Sequence, residues 1–356
     1  MKRIERLRGK MKAEGIDGML VRAYHTLRYL TGYSGSNGLL ILTQDDALFL
    51  TDFRYKTQIE EELPKELRRL VPEKDIFSIL SELDIVKNIK QLAFEEEYTP
   101  YSLYRKVKET LNSCELVPVS GWVEQFSAIK EKEEIKFIKK AIEISEKALS
   151  ELLKGFCIGQ TELELAAELE YQMKHLGGEK MAFDTIVVSG KRGALIHGTP
   201  SDKKIKQGEL LTIDFGTFYR GYASDITRTF AVGKLDDEQK KVYNIVRDAA
   251  YRAIDAARPG LKANELDAVA RDYIREAGYG DYFGHGLGHG LGLLIHEEPR
   301  ISQRVEDELK TNMVFTIEPG IYIPGRFGVR IENDVLLTED GAEKLTSFPD
   351  KLVTIG

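Results

Sequence analysis

Four acidic residues in the C-terminal half of this chain stand inside runs of strand-forming apolar residues, and that pattern leaves few folds open. Asp214 lies in Leu211-Thr212-Ile213-Asp214-Phe215-Gly216, and Asp225 in Ser224-Asp225-Ile226-Thr227-Arg228-Thr229. The stretch Leu211–Val232 reads as a hairpin turning near Tyr219–Gly221, which sets the two aspartates across from each other on neighbouring strands. A second hairpin, Val314–Leu337, turns at Pro324-Gly325-Arg326 and opposes Glu318 to Glu332. Directly opposed cross-strand Cβ atoms lie about 4.5–5.5 Å apart. Two like-charged pairs at that separation repel unless something neutralises them. Divalent metal is the best neutraliser, and four carboxylates with a histidine suit a two-metal site that clamps a water and a scissile carbonyl.

Each acid taken alone has a plainer explanation. Asp214 could form a buried salt bridge or cap a turn, Asp225 has Arg228 nearby, Glu318 precedes Pro319-Gly320 and could end a strand, and Glu332 has Arg330. Strand alternation points Arg330 and Glu332 to one face, so Arg330 could equally brace the acid as a donor behind it. Four matched acids make four separate plain explanations a poor account. His285, His289 and His296 stand in the glycine-rich run Gly284–Glu297, and His197 in Leu195-Ile196-His197-Gly198-Thr199-Pro200. Glycines let backbone approach a ligand closely, and neutral imidazole both ligates metal and moves protons near pH 7. His25 and His175 lack such a setting and read as surface or capping residues.

Composition narrows the class. A length of 356 residues allows about two domains. The net charge of −7 argues against nucleic acid as the main partner. No apolar run is long enough for a membrane span, and the charged N-terminus Met1–Leu7 is not a signal peptide. Cys114 and Cys157, without CxxC spacing, read as reduced packing residues of a cytoplasmic protein.

Residues 1–121 alternate helix and strand, the mark of an α/β domain. The helices are Met1–Glu14, Ile76–Lys87 and Tyr101–Leu111. The strands are Gly18–Val21, Leu39–Leu42, Ala47–Thr51, Gln91–Phe94 and Leu116–Val119. The glycine-rich Gly32–Gly38 fits neither GxGxxG nor GxxxxGK[ST], so it carries no phosphate loop. Residues 122–131 read as a linker. Residues 132–356 form an α+β domain in which a curved antiparallel sheet is flanked by helices. Its helices are Glu133–Lys154 with one apolar stripe, a second opened by the Thr161–Glu164 capping box, Asp237–Ala257 and Ala263–Ala277.

The ordered set of a His-Gly segment, IDFG, SDITRTF, GHGLGHGLGLLIHE, IEPG and VRIEND resembles the Xaa-Pro peptidases. These are the prolidases and aminopeptidase P, whose pita-bread fold is shared with methionine aminopeptidase. The motifs span roughly residues 185–340, and the N-terminal domain length fits as well. Asn333 stands where the family often has Asp. The resemblance implies two divalent ions per subunit, from Mn, Co, Zn or Fe. Asp225 and Glu332 would bridge them, Asp214 would complete one site, and His289 with Glu318 the other. Creatinase and the non-enzymatic pita-bread modules lack this ligand set, and methionine aminopeptidase normally lacks the N-terminal domain.

The implied reaction is hydrolysis of the Xaa-Pro bond in peptides with proline second, through a metal-bridging hydroxide. Glu318 would move the proton, and His197, His285 and His296 would line the substrate pocket. Arg300 and Arg330 are the expected substrate-binding residues, Arg300 facing the free carboxylate of a dipeptide. That favours a prolidase, with an aminopeptidase P acting on longer peptides as the alternative. Phe283, Leu287 and Tyr322 are expected to form an apolar site for the proline ring. The resemblance further implies a homodimer in which the N-terminal domain reaches the neighbour's active site, with the Tyr33–Gly38 loop as the contact and Arg54 as a brace.

Overall fold

The computed structural model describes all 356 residues. The chain divides into two compact units, Met1–Ser127 and Ala128–Gly356. No helix is long and apolar enough to cross a membrane.

The first unit carries helices α1 (Lys2–Ala13), α2 (Tyr24–Thr31), α3 (Lys56–Glu62), α4 (Tyr101–Thr110) and α5 (Glu124–Ser127). Its strands are β1 (Gly18–Val21), β2 (Leu39–Thr43), β3 (Ala47–Leu50), β4 (Arg68–Leu70), β5 (Gln91–Glu95) and β6 (Glu115–Val119). They form one mixed sheet in the order β4-β3-β2-β1-β5-β6. Strands β1 and β3 are apolar and buried throughout, as a sheet covered on both faces requires. The Ile76–Lys87 helix does not form. That stretch holds two 3-10 turns, Leu80–Glu82 and Asp84–Val86. The Asp75 carboxylate accepts the amides of Phe77 and Ser78, and Asp84 accepts that of Ile85. The first two are bonds that a helix start would also make, but the Asp84 bond takes an amide from the middle of the ladder. His25 is not at the surface: it is buried in α2, edge-on to Tyr98, with Nε2 3.6 Å from Glu124. Asp52 ties the Tyr33–Gly38 loop to Arg54, accepting from Asn37 Nδ2 and twice from the guanidinium.

The second unit opens with α6 (Lys132–Lys154), started by a Glu131/Glu134 capping box, and α7 (Glu162–His175), started by the Thr161/Glu164 box. Helices α8 (Asp237–Ala256) and α9 (Ala263–Glu276) follow. A four-stranded sheet contains β7 (Ile186–Ser189), β8 (Leu210–Phe215), β11 (Ile226–Val232) and β19 (Thr354–Ile355), with the short pair β9 (Phe218–Tyr219) and β10 (Tyr222–Ala223) at its turn. The strands β12 (Gly288–Gly290), β13 (Glu297–Ile301), β14 (Val314–Ile317), β17 (Asn333–Thr338) and β18 (Gly341–Lys344) form a five-stranded antiparallel sheet. Between β14 and β17 lies the hairpin β15 (Gly320–Ile323) and β16 (Phe327–Arg330). The apolar faces of α8 and α9 pack with Phe315, Ile317, Val329 and Ile331 into one core. This is the α+β arrangement of ladders and flanking helices expected above. Cys157 is exposed rather than packed, because it lies in the short connection after α6; Cys114 is half-buried.

Candidate metal centre and substrate cleft

The second hairpin has the expected register. Ile317 pairs with Asn333, and Gly320 pairs with Arg330. One register runs through both ladders, so Glu318 falls opposite Glu332 in the gap between them. The first hairpin departs from expectation. Asp214 pairs with Thr227, and the same register gives Asp225 Gly216 as its opposite. The reason is the turn: Arg220 and Gly221 both have positive φ, 51° and 80°, and close a two-residue connection between Tyr219 and Tyr222. Asp225 is therefore diagonal to Asp214, still on its face. Gly216 is needed here, because a Cβ would strike the Ser224 carbonyl.

His289 enters from β12. Its Nε2 lies 3.5 Å from Asp225 Oδ2 and 3.4 Å from Glu318 Oε1. Its Nδ1 lies 3.1 Å from the Gly290 carbonyl, which fixes the proton there and leaves Nε2 as a lone-pair donor. Ligand atoms of Asp225, His289 and Glu332 all lie within 4.8 Å of one another. Thr227 Oγ1 donates to Glu332 Oε2 at 2.6 Å, and Thr316 Oγ1 to Glu318 Oε1 at 3.1 Å. Arg330 Nη2 donates to Asp214 Oδ2 at 2.5 Å, while Asp214 Oδ1 is buried with no partner.

The electrostatics show what such a cluster costs. Burial, then the neighbouring Glu332 and Asp214, pushes the Asp225 carboxyl well above its ordinary value. Burial and Glu318 do the same to Glu332, and burial pushes Glu318 up to about 7. Burial pushes His285 and His296 down to about 4 and lowers His289, so all three favour neutral imidazole. Buried acids and neutral histidines around one point fit a divalent cation, and the orphaned Asp214 oxygen is the atom such an ion would satisfy.

The cleft around this centre has a volume of about 460 Å³. His197, His285, His296 and Arg330 line it together with Asp214, Asp225, His289, Glu318 and Glu332. His285 Nε2 lies 2.9 Å from the Tyr322 hydroxyl, which also accepts from Arg330 Nη1 at 2.9 Å. Arg330 further donates to Thr227 Oγ1 and the Ile196 carbonyl, so most of its donors face protein and it acts as a brace. Arg300 does not line the cleft. It is exposed and pairs with His289 across β12 and β13, and after burial and His289 its charge also lowers His296.

The expected proline site is misplaced: Phe283 and Leu287 belong to the core under α9, and the hydroxyl of buried Tyr322 is spent on His285 and Arg330. The apolar lining is instead Phe183, Ile186, Ile196 and Pro200. Ile186 pairs directly with Asp214, and its strand reads in sequence only as an apolar run.

Two antiparallel ladders that converge buried carboxylates and one imidazole on a substrate-sized cleft define a metal-dependent hydrolase. Comparison with known proteins narrows this. Residues 136–339 match Metallopeptidase family M24, and residues 3–129 match the Creatinase/Prolidase N-terminal domain. The chain belongs to metallopeptidase family M24. It is 45% identical to an Xaa-Pro dipeptidase of Pyrococcus furiosus over 99% of both chains. Among solved structures, an Xaa-Pro dipeptidase from Bacillus anthracis superimposes with a TM-score of 0.96 at 42% identity, covering 100% of this chain and 99% of that one. An X-Pro aminopeptidase from Thermotoga maritima gives 0.91 at 41%, covering 97% and 100%.

Proposed function

We propose that this metallopeptidase hydrolyses Xaa-Pro dipeptides. The observation that carries the reading is the convergence of Asp214, Asp225, His289, Glu318 and Glu332 beside an apolar wall of Phe183, Ile186, Ile196 and Pro200. Proline nitrogen in a peptide has no N–H to offer, so its ring must be recognised by apolar contact, and that wall supplies it. The five donors would hold two divalent ions, with Asp225 and Glu332 shared, Asp214 on one and His289 with Glu318 on the other. When bound, the metal supplies a water acidified towards neutral pH and polarises the scissile carbonyl.

The chain's own groups do the rest. Glu318 accepts the proton of the attacking water on a carboxylate oxygen and delivers it to the proline nitrogen as the bond breaks. His296 and His197 donate to the developing oxyanion and hold the peptide. Arg330 keeps one oxygen of Asp214 occupied so that the other points at the centre. Arg300, exposed on β13 opposite His289, would receive the free carboxylate of the dipeptide. Manganese, cobalt, zinc and iron all suit the donor set. The same reading makes the protein a cytoplasmic homodimer with the Tyr33–Gly38 loop at the contact; two unpaired cysteines accord with a reducing compartment.

The similarity to an X-Pro aminopeptidase supports a second reading, release of the first residue from longer peptides. Hydrolysis of Met-Pro beside Met-Pro-Gly separates the two. A kcat/KM at least about ten-fold higher for Met-Pro is expected, and a preference for Met-Pro-Gly would move the assignment to the aminopeptidase.

A further inference from the structure

The cleft wall formed by Ile196, His197, Gly198, Thr199 and Pro200 belongs to a loop with no regular structure between Leu195 and Lys203. A loop that long should be mobile, yet the chain on either side of it is fastened to one carboxylate, at Ser189 and at Ser201. Glu162, the first residue of α7, is 0% exposed. Its Oε1 accepts from the Ser189 amide at 2.8 Å and the Ser189 hydroxyl at 2.9 Å. Its Oε2 accepts from Arg192 Nε at 2.9 Å, the Ser201 hydroxyl at 2.8 Å and the Ser201 amide at 3.2 Å. Arg192 Nη2 then crosses the loop to the Thr199 carbonyl. On the far edge, Arg330 Nη1 donates to the Ile196 carbonyl at 3.2 Å, and Gly193 sits so close to Gly328 that a Cβ on either would strike the other's backbone.

Helix α7 does not need this carboxylate, since Thr161 and Glu164 already cap it. A buried ion pair contributes little net stability compared with a well-packed apolar side chain, because desolvation offsets most of the attraction. What five convergent bonds do provide is a fixed position. We propose that Glu162, with Arg192 as crosspiece, is a positioning residue that staples the 189–201 segment and so holds His197 and the Ile196 and Pro200 part of the apolar wall in register for substrate. This rests on the peptidase reading. Glu162 touches none of the metal donors, so its effect falls on substrate capture and not on metal binding.

Arg192→Met and Glu162→Gln, assayed as full-length metal-loaded enzyme on Met-Pro, test it. Arg192 is partly exposed, so its substitution leaves the fold intact even where Glu162→Gln does not. The staple predicts kcat/KM lowered about five-fold or more in Arg192→Met, KM rising as the peptide is held less well and kcat falling as His197 leaves the oxyanion, with metal content unchanged. An unchanged kcat/KM, or a loss in step with loss of metal, overturns it. Hydrogen exchange of residues 190–200 is read on the same samples. Protection should fall about ten-fold in Arg192→Met while that of Leu210–Phe215 holds. If the wild type cleaves no Xaa-Pro peptide, the peptidase reading fails and this exchange alone decides the staple, unchanged protection overturning it.

Discussion

Arg330 and Asp214, 116 residues apart in sequence, are joined at 2.5 Å through one carboxylate oxygen, and the other oxygen of Asp214 is buried without a partner. The arginine thus does not neutralise the acid so much as aim it. It also holds Tyr322, Thr227 and Ile196, four attachments on the floor and wall of the cleft.

Removing that aim should weaken metal binding before it weakens folding. Outer-sphere partners of metal ligands typically contribute 10–100-fold in affinity or activity, so Arg330→Met should need about ten-fold or more metal for half-maximal activity. Titration of chelator-stripped Arg330→Met and wild type with Mn²⁺ compares the midpoints. Equal midpoints would show that Asp214 needs no brace.

The buried acids give the metal-free protein a pH signature. Burial pushes the Glu318 carboxyl up to about 7. A raised folded pKa costs nothing below the unfolded value near pH 4.5, then costs more as pH rises, levelling off above about 7. The span corresponds to roughly 3 kcal/mol at 1.36 kcal/mol per unit. Metal-free Glu318→Gln should therefore match wild type at about pH 4 and exceed it by up to that amount at about pH 7.5. His285 and His296, pushed down to about 4, tilt stability the opposite way. They do so in both proteins, so the difference reports Glu318 together with its repulsion of Glu332 and Asp225. Urea unfolding at the two pH values reads it, and a difference independent of pH would contradict the assignment.

Tyr322 links the histidine and arginine sides of the cleft, its hydroxyl 2.9 Å from both His285 Nε2 and Arg330 Nη1. Tyr322→Phe leaves the ring in place and frees both partners. Stability should fall by about 1 kcal/mol. KM for Met-Pro should rise about five-fold or more as His285 loses its fixed orientation. A KM equal to wild type would remove His285 from the substrate site.

Much of the centre was legible because Asp214 sits in a strand and Asp225, Glu318 and Glu332 sit directly beside strand ends. The ladder from Ile317–Asn333 to Gly320–Arg330 keeps one register around a tight Pro324-Gly325 turn, so counting outward from the turn finds Glu318 opposite Glu332. The same counting slipped at Asp214 and Asp225 because the turn lies at Arg220-Gly221, where both residues have positive φ. Partners distant in sequence were not legible. Arg330 reads as a neighbour of Glu332 but bonds Asp214, and Arg228 reads as a partner for Asp225 but pairs with Asp350 at 3.0 Å. Glu162 reads as part of a helix start, and nothing local announces Ser189 and Ser201 as its partners. Apolar spacing also misled at Ile76–Lys87, where Asp84 claims an amide a helix would use.

The Arg228–Asp350 pair tests how far the centre depends on the C-terminal segment. Both side chains are nearly fully buried, and Arg228 also donates to Asn333 Oδ1, the Phe348 carbonyl and the Glu332 carbonyl. Breaking one side of such a pair strands a buried charge, so Asp350→Ala should cost about 3–5 kcal/mol in urea unfolding. A loss below about 1 kcal/mol would show that the segment after Phe348 does not secure the connection that carries Glu332 into β17.

The most direct measurement is the activity of chelator-stripped enzyme on Met-Pro as Mn²⁺ or Co²⁺ is added back, with bound metal counted in the same samples. Five converging donors predict no activity without metal and a rise that saturates at about two ions per chain. Full activity in the stripped enzyme, or none at any metal content, would contradict the metal-dependent Xaa-Pro dipeptidase described here.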